Sequence, residues 1–137
     1  MVDKKTKDWS GCPVRFGMSQ FGDKWSFLII RDLMFKGRKY YHEFMEAGEG
    51  ISTNILAARL SDLENNEIIS KSKDPLKGSR FVYTLTQKGK ELMPMMLAMM
   101  DWAEKYDAET EVPPEFINGL RSDPAKLQQE ILDNLPK

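Results

Sequence analysis

The chain has 137 residues, of which 41% are hydrophobic and 30% charged, with one cysteine and a net charge of −1. That length suffices for one domain with a real core, and the balance is that of a soluble globular protein. A single cysteine excludes an internal disulfide and suits a reducing, cytoplasmic compartment; no run approaches the ~18 uninterrupted apolar residues of a membrane helix, and the start, MVDKKTKDW, lacks the apolar core of a secretory signal.

The near-zero net charge conceals an asymmetry. Residues 1–100 carry 16 basic and 12 acidic side chains, whereas residues 101–137 carry 4 and 9. The bulk of the chain is mildly basic and its tail is acidic, which keeps a nucleic-acid partner open for the basic part.

Residues 1–11 are polar and read as a flexible N-terminus. Cys12-Pro13 opens a helix over 14–21, with proline near the first turn, and Val14, Met18 and Phe21 form a narrow apolar stripe. Gly22 ends it. Asp23 caps a second helix over 24–36, where Trp25, Leu28, Ile29, Leu33 and Met34 keep the helical period and Phe27 and Ile30 widen the stripe; this helix is expected to be central and buried. Gly37 stops it. Residues 38–41 read as the start of a small strand, and 42–47 as a short helix with Phe44 and Met45 inward. Gly48-Glu49-Gly50 is a tight turn.

Residues 51–69, ISTNILAARLSDLENNEII, organise the rest of the chain. Ser52 is an N-cap whose hydroxyl accepts an orphaned backbone N–H. Ile55, Leu56, Leu60 and Leu63 form one apolar stripe. Thr53, Asn54, Ala57, Ala58 and Ser61 lie off it; they are short, uncharged and either polar or methyl-sized, as a helix entering a narrow groove requires. The pair Asn65-Asn66 is expected to take the left-handed turn that closes the helix at about 66. Helix, glycine-containing turn, helix is the helix-turn-helix pattern.

Two alternating runs, 67–73 and 80–86, flank a turn-rich loop over 74–79 and predict a β-hairpin. Thr86 caps a long helix over 87–106, which Pro94 is expected to kink. Leu92, Met93, Met96, Leu97, Met99, Met100 and Trp102 give it more apolar girth than one face needs, so a second protein surface is expected against it. Methionines at this spacing read as a packed interface in preference to a ligand pocket. Residues 107–112 are an acidic linker. Beyond Pro113-Pro114, helices are expected over 115–121 and 124–135, the latter with Leu127, Ile131 and Leu135 on one stripe.

The fold class is therefore mainly α with a small β-hairpin, in the element order of a winged helix-turn-helix. Several short motifs sharpen this: Cys12-Pro13-Val14, Gly22-Asp23-Lys24-Trp25, Arg38-Lys39-Tyr40, Gly50-Ile51-Ser52, Arg59-Leu60-Ser61-Asp62-Leu63-Glu64, Tyr83-Thr84-Leu85-Thr86 followed by Gly89, and Leu92-Met93-Pro94. In this order and spacing they resemble the HxlR-type transcriptional regulators, winged-helix proteins related to the MarR group, over residues 12–106. The resemblance implies a homodimer on double-stranded DNA, built through additional N- and C-terminal dimerisation helices; Val14, Met18, Met93, Met96, Leu97 and Met100 are the interface residues it suggests. Asp23 stands where the family usually has a second glycine, Asn54 and Ala57 replace more basic or polar residues, and the extension over 107–137 exceeds a typical member.

Base contacts are assigned to Ser52, Thr53, Asn54, Ala57 and Ser61 on a recognition helix over about 52–66, because asparagine pairs bidentately with adenine and small methyl groups meet the thymine methyl. Backbone contacts are assigned to Arg38, Lys39, Lys71, Lys73, Lys77 and Arg80, the last four within a wing over about 67–86. Arg59 has two readings, a phosphate contact or an internal pair with a carboxylate such as Glu64. Cys12, at a helix start and near Arg15, also has two: a small buried apolar residue, or, since some HxlR-type regulators use a cysteine at the matching position, a redox sensor for an oxidant or small-molecule effector. One histidine, His42, one cysteine and the absence of CxxC, HExxH or a glycine-rich phosphate loop argue against an enzyme, a metal or a cofactor. The alternative of another class is a winged-helix interaction or dimerisation module that never touches DNA.

Overall fold

Glycines and capping side chains divide the first half of the chain, and the helices stop and start at them. The structure is a computed structural model that describes residues 11–136, so the expectation for 1–11 lies outside the described residues except for Gly11. Helix α1 (Pro13–Phe21) has proline in its first turn and ends at Gly22, whose N–H donates to Met18 O at 2.9 Å. Asp23 caps α2 (Lys24–Arg31), accepting from the Ser26 N–H at 3.0 Å and the Ser26 hydroxyl at 2.7 Å. The expected single helix over 24–36 instead widens after Arg31 into a π turn, Asp32–Lys36, and Gly37 closes it at φ 69. The wider turn brings the Asp32 carbonyl to two donors, the N–H groups of Gly37 and Arg38.

Helix α3 (Tyr41–Met45) is a single short stretch whose entry is fixed by Glu43, which accepts from the N–H groups of Lys39 and Tyr40 at 2.9 and 3.0 Å. After the turn at Gly48 and Gly50, both at positive φ, Ser52 caps α4 (Thr53–Asn65) by accepting from Ile55 N–H at 3.2 Å. Leu56, Leu60 and Leu63 of α4 are buried, as are Ile29, Ile30, Leu33, Met34, Phe44, Ile68 and Ile69. Each such side chain contributes roughly 1.5–3 kcal/mol relative to exposure, so burial of these apolar faces fixes α4 on α2. The left-handed residue that closes α4 is Glu67 (φ 61); Asn66 stays at φ −84. The shift by one residue lets Ile68 turn inward, its N–H on Leu63 O at 2.9 Å and its side chain 1% exposed, and burial of isoleucine outweighs about 1–2 kcal/mol of backbone strain.

Strands β1 (Ile69–Lys73) and β2 (Phe81–Leu85) pair antiparallel in the register Ile69↔Leu85, Lys71↔Tyr83 and Lys73↔Phe81. The strand expected at 38–41 does not form. One backbone bond stands in its place, Tyr83 N–H to Lys39 O at 2.9 Å, because Glu43 and the Asp32 carbonyl already take the N–H groups of Lys39, Tyr40 and Arg38. The long helix expected over 87–106 is two helices, α5 (Gln87–Lys90) and α6 (Met93–Tyr106). Pro94 does not kink a helix; it sits in the first turn of one, where a missing N–H costs nothing. Thr86 caps α5, its hydroxyl accepting from Gly89 N–H at 3.1 Å. Glycine at 89 is a packing requirement: a Cβ there would run into the Ile68 carbonyl and lie 3.0 Å from Leu85 Cδ2.

The break coincides with a division into two compact units, residues 11–89 and 90–136. The second holds α6, α7 (Pro114–Ser122) and α8 (Pro124–Asp133). Within it Arg121 ties α7 to α6 through Asp101 at 2.7 Å and Glu104 at 2.6 Å, and Asp123 caps α8. No helix among the described residues is long and apolar enough to cross a membrane.

Candidate nucleic-acid interface

The stripe of α4 opposite its leucines is exposed: Ser52, Thr53, Asn54, Ala57, Ala58 and Ser61 all face outward. None carries a charge, and all are short. The Tyr41 hydroxyl donates to Thr53 O at 3.2 Å and holds α3 on the first turn of α4. Beside this stripe lies the wing face that carries Lys71, Lys73, Tyr83 and Phe81, since residues paired in register share a face. Ala57, Ser61 and Glu64 of α4, Tyr41 of α3, and Lys71 and Tyr83 of the hairpin line one groove. Helix and wing thus form a continuous outward surface. Tyr83 is buried, which together with nearby Glu64 pushes its hydroxyl above the ordinary tyrosine range and keeps it neutral.

The cations separate into two groups. Lys39, Lys71, Lys73 and Lys77 are exposed, although Lys39 and Lys71 rest over the rings of Tyr40 and Phe81 at 5.4 and 4.5 Å. The arginines assigned to DNA are held by carboxylates of the chain. Arg38 donates to Asp32 Oδ1 at 2.9 Å. Arg80 donates to Asp74 Oδ2 at 2.6 and 2.9 Å and lies 3.8 Å over the Tyr40 ring. Arg59 stands 3.2 Å from Asp23 and 3.4 Å from Asp62; the carboxylate reading applies, with these partners in place of Glu64. Its Nε approaches Asp23 without the alignment of a hydrogen bond. A guanidinium suits such pairs because its fork can meet a carboxylate at two points.

Two buried aspartates explain these arginines: Asp32, which no sequence expectation singles out, and Asp74, the one acidic residue among the hairpin cations in the sequence. Asp32, 3% exposed, receives Arg38 and also Arg31, which reaches on to Glu49 at 2.8 Å and so ties α2 to the turn before α4. Burial works against the Arg31 charge, but hydrogen bonds to Glu49 and Asp32 prevail and raise its pKa. Asp74, also 3% exposed, accepts from Leu76 N–H at 3.0 Å and from Arg80. The Leu76 bond and then Arg80 hold its carboxyl below the usual carboxylate range. That contribution is present at neutral pH and is lost only as pH falls through the lowered value. The sequence carries a signal for the first of them: Asp32 interrupts the apolar run Ile29-Ile30…Leu33-Met34, and a charge inside such a run needs a partner.

The suggested interface residues also divide. Val14 and Met18 are exposed, Met100 is half-buried, and Met93, Met96 and Leu97 are buried in the single chain. A side chain with 1–5% of its surface accessible has none to offer a second chain. The exposed row of α6 is Met95, Met99, Trp102 and Tyr106, with the last two rings 5.5 Å apart. Cys12, read as either buried or reactive, is exposed at the N-cap of α1.

Comparison with known proteins gives the same architecture. Residues 20–111 match the family model described as HxlR-like helix-turn-helix. The chain is 35% identical over 102 residues to the HTH-type transcriptional regulator sll1512 of Synechocystis, covering 72% of this chain and 75% of that one. It is 38% identical over 96 residues to the HTH-type transcriptional regulator YodB of Bacillus subtilis, covering 69% and 85%; the reduced form of YodB superposes with a TM-score of 0.59 over 74% of this chain and 100% of that one. The oxidized form of the redox regulator HypR, 28% identical, superposes at 0.61 over 74% and 100%. A family match across two thirds of the chain, carried by these helices and this wing, shows that the protein belongs to the HxlR-like helix-turn-helix family.

Proposed function

We propose that the chain is a dimeric, sequence-specific DNA-binding transcriptional regulator, with α4 in the major groove and the wing on the phosphate backbone. One observation carries this reading: an uncharged strip of short side chains on α4 runs directly beside a hairpin whose exposed charged groups are lysines. Phosphate contacts by Lys39, Lys71, Lys73 and Lys77 set affinity and register, while Ser52, Thr53, Asn54, Ala57 and Ser61 read base edges. Asparagine pairs with adenine and the Thr53 and Ala57 methyl groups meet thymine, which favours an A·T-rich half-site. The family is one of transcriptional regulators, and the surface works by recognition, through hydrogen bonds and apolar contacts.

Selection of bound sequences from a random duplex pool tests the reading. The expected product is a two-fold motif whose half-sites lie roughly 34 Å apart, one turn of duplex. Asn54→Ala should relax preference at one base pair per half-site by about 1–3 kcal/mol and leave the rest of the motif unchanged. A pool that enriches no sequence, with binding insensitive to salt, would identify a winged-helix interaction module instead.

Cys12 supports an oxidant effector: it is exposed, at the N-cap of α1, and HypR is itself a redox regulator. As the sole cysteine, it would act through a bond between subunits, a bond to a small thiol, or direct oxidation. Mild oxidation should lower DNA affinity by about 5- to 150-fold in the native chain and not in Cys12→Ser. Equal affinity before and after oxidation removes Cys12 as a sensor.

A further inference from the structure

The hairpin loop between β1 and β2 is built around a side chain that stands in solvent. Leu76 is 90% exposed. A lone exposed leucine is ordinary, but this one stands on a loop whose hydrogen bonds and ion pair all serve to fix it. Its own N–H is held by Asp74 Oδ1 at 3.0 Å. The loop is closed beneath it by Asp74 N–H to Arg80 O at 2.8 Å and Arg80 N–H to Lys77 O at 3.0 Å. Arg80 locks the base through Asp74 and Tyr40. Pro75, immediately before, fixes its own φ. The one acidic side chain of the loop is turned inward and buried, so the exposed residues of the loop are Pro75, Leu76, Lys77, Gly78 and Ser79, next to the exposed Lys73 of β1. The tip is a hydrogen-bonded turn carrying an exposed aliphatic group, with Lys73 before it and Lys77 after it in the chain.

We propose that Leu76 is an apolar wedge for the minor groove of the duplex flanking each half-site, a specificity-determining residue that rests on the DNA-binding reading above. The minor groove, about 6 Å wide, admits a single side chain where it would not admit the hairpin. Lysines on either side meet the phosphates that border it. A leucine inserted there cannot hydrogen-bond to a base edge; it partly unstacks a base step, and the cost depends on the step. Flexible pyrimidine–purine steps, TA and CA/TG, are therefore preferred at a position no polar side chain contacts. The arginines of the helix-turn-helix entry and the wing, Arg38 and Arg80, are bound to carboxylates, and with Lys73 and Lys77 assigned to the phosphates Leu76 is the apolar group the tip offers to the groove.

The test is a selection from random duplexes with the native chain, Leu76→Ala and Leu76→Met. The native chain should enrich TA or CA/TG steps at a fixed distance outside the half-site; Leu76→Met should keep that enrichment and Leu76→Ala should lose it. On one duplex carrying the preferred flank, Leu76→Ala should bind on the order of tenfold more weakly with an unchanged salt slope. Flank preference that is absent, or insensitive to position 76, while the half-site motif persists overturns the wedge alone. Loss of the half-site motif in the native chain overturns the DNA-binding reading and the wedge with it.

Discussion

Replacing Lys73 and Lys77 together by alanine is expected to weaken binding to every duplex sequence alike, by up to about a thousandfold at 0.15 M salt. In the proposed dimer two lysines from each subunit would make four phosphate contacts, and their loss should flatten the slope of log K against log salt by roughly 3.6. Both side chains are exposed, so the folded state should be little affected. The arginines should behave differently. Arg80→Ala removes the partner of a buried aspartate, and Arg38→Ala removes one partner of another, so both should show first in stability. A salt titration of native and double-variant protein on one duplex decides: an unchanged slope, or a changed base preference, would place the wing somewhere other than the backbone.

Trp102→Asp is expected to convert the protein to a folded monomer and to lower affinity for the full two-fold site on the order of a hundredfold or more, since each half-site then binds alone. The α6 row of Met95, Met99, Trp102 and Tyr106 is exposed at a spacing that places all four on one face. A charge set in the centre of such a face opposes its burial. Met96→Ala provides the contrast: at 5% exposure it should cost about 2–5 kcal/mol of stability without separating subunits. Sedimentation of each variant, with thermal unfolding alongside, tests the pair. A dimer that survives Trp102→Asp rules out this face as the interface.

Helix starts are legible in the residues because a cap is a contact over three positions: Ser52 with Ile55, Asp23 with Ser26, Thr86 with Gly89. The apolar stripe of α4 and the alternation of the hairpin are legible because period and burial go together. The outward strip from Ser52 to Ser61 follows from the same stripe, seen from its other side. Pro94 misleads because proline marks both a kink and a beginning, and only the preceding turn at 91–92 tells which. Glu67 takes the left-handed place expected of an asparagine because Ile68 has to reach the core.

The sequence by itself determined the family, the succession of helix-turn-helix and hairpin and the identity of the outward face of α4, since each depends on spacing along the chain; it did not determine the missing strand at 38–41, the π turn after Arg31 or the division of 87–106 into two helices. Only the tertiary structure decided which cations remain available. Lys73 and Arg80 carry the same charge at the two ends of the hairpin loop, yet Arg80 is bound to Asp74 and stacked on Tyr40 while Lys73 faces solvent. The reason is that a buried carboxylate must find a cation, and which cation it finds is set by where the chain folds back, a distance no local pattern records. The same holds for α6, where Met96 and Met99 are equally apolar and one turn apart, and the packing alone makes the first part of the core and leaves the second outside.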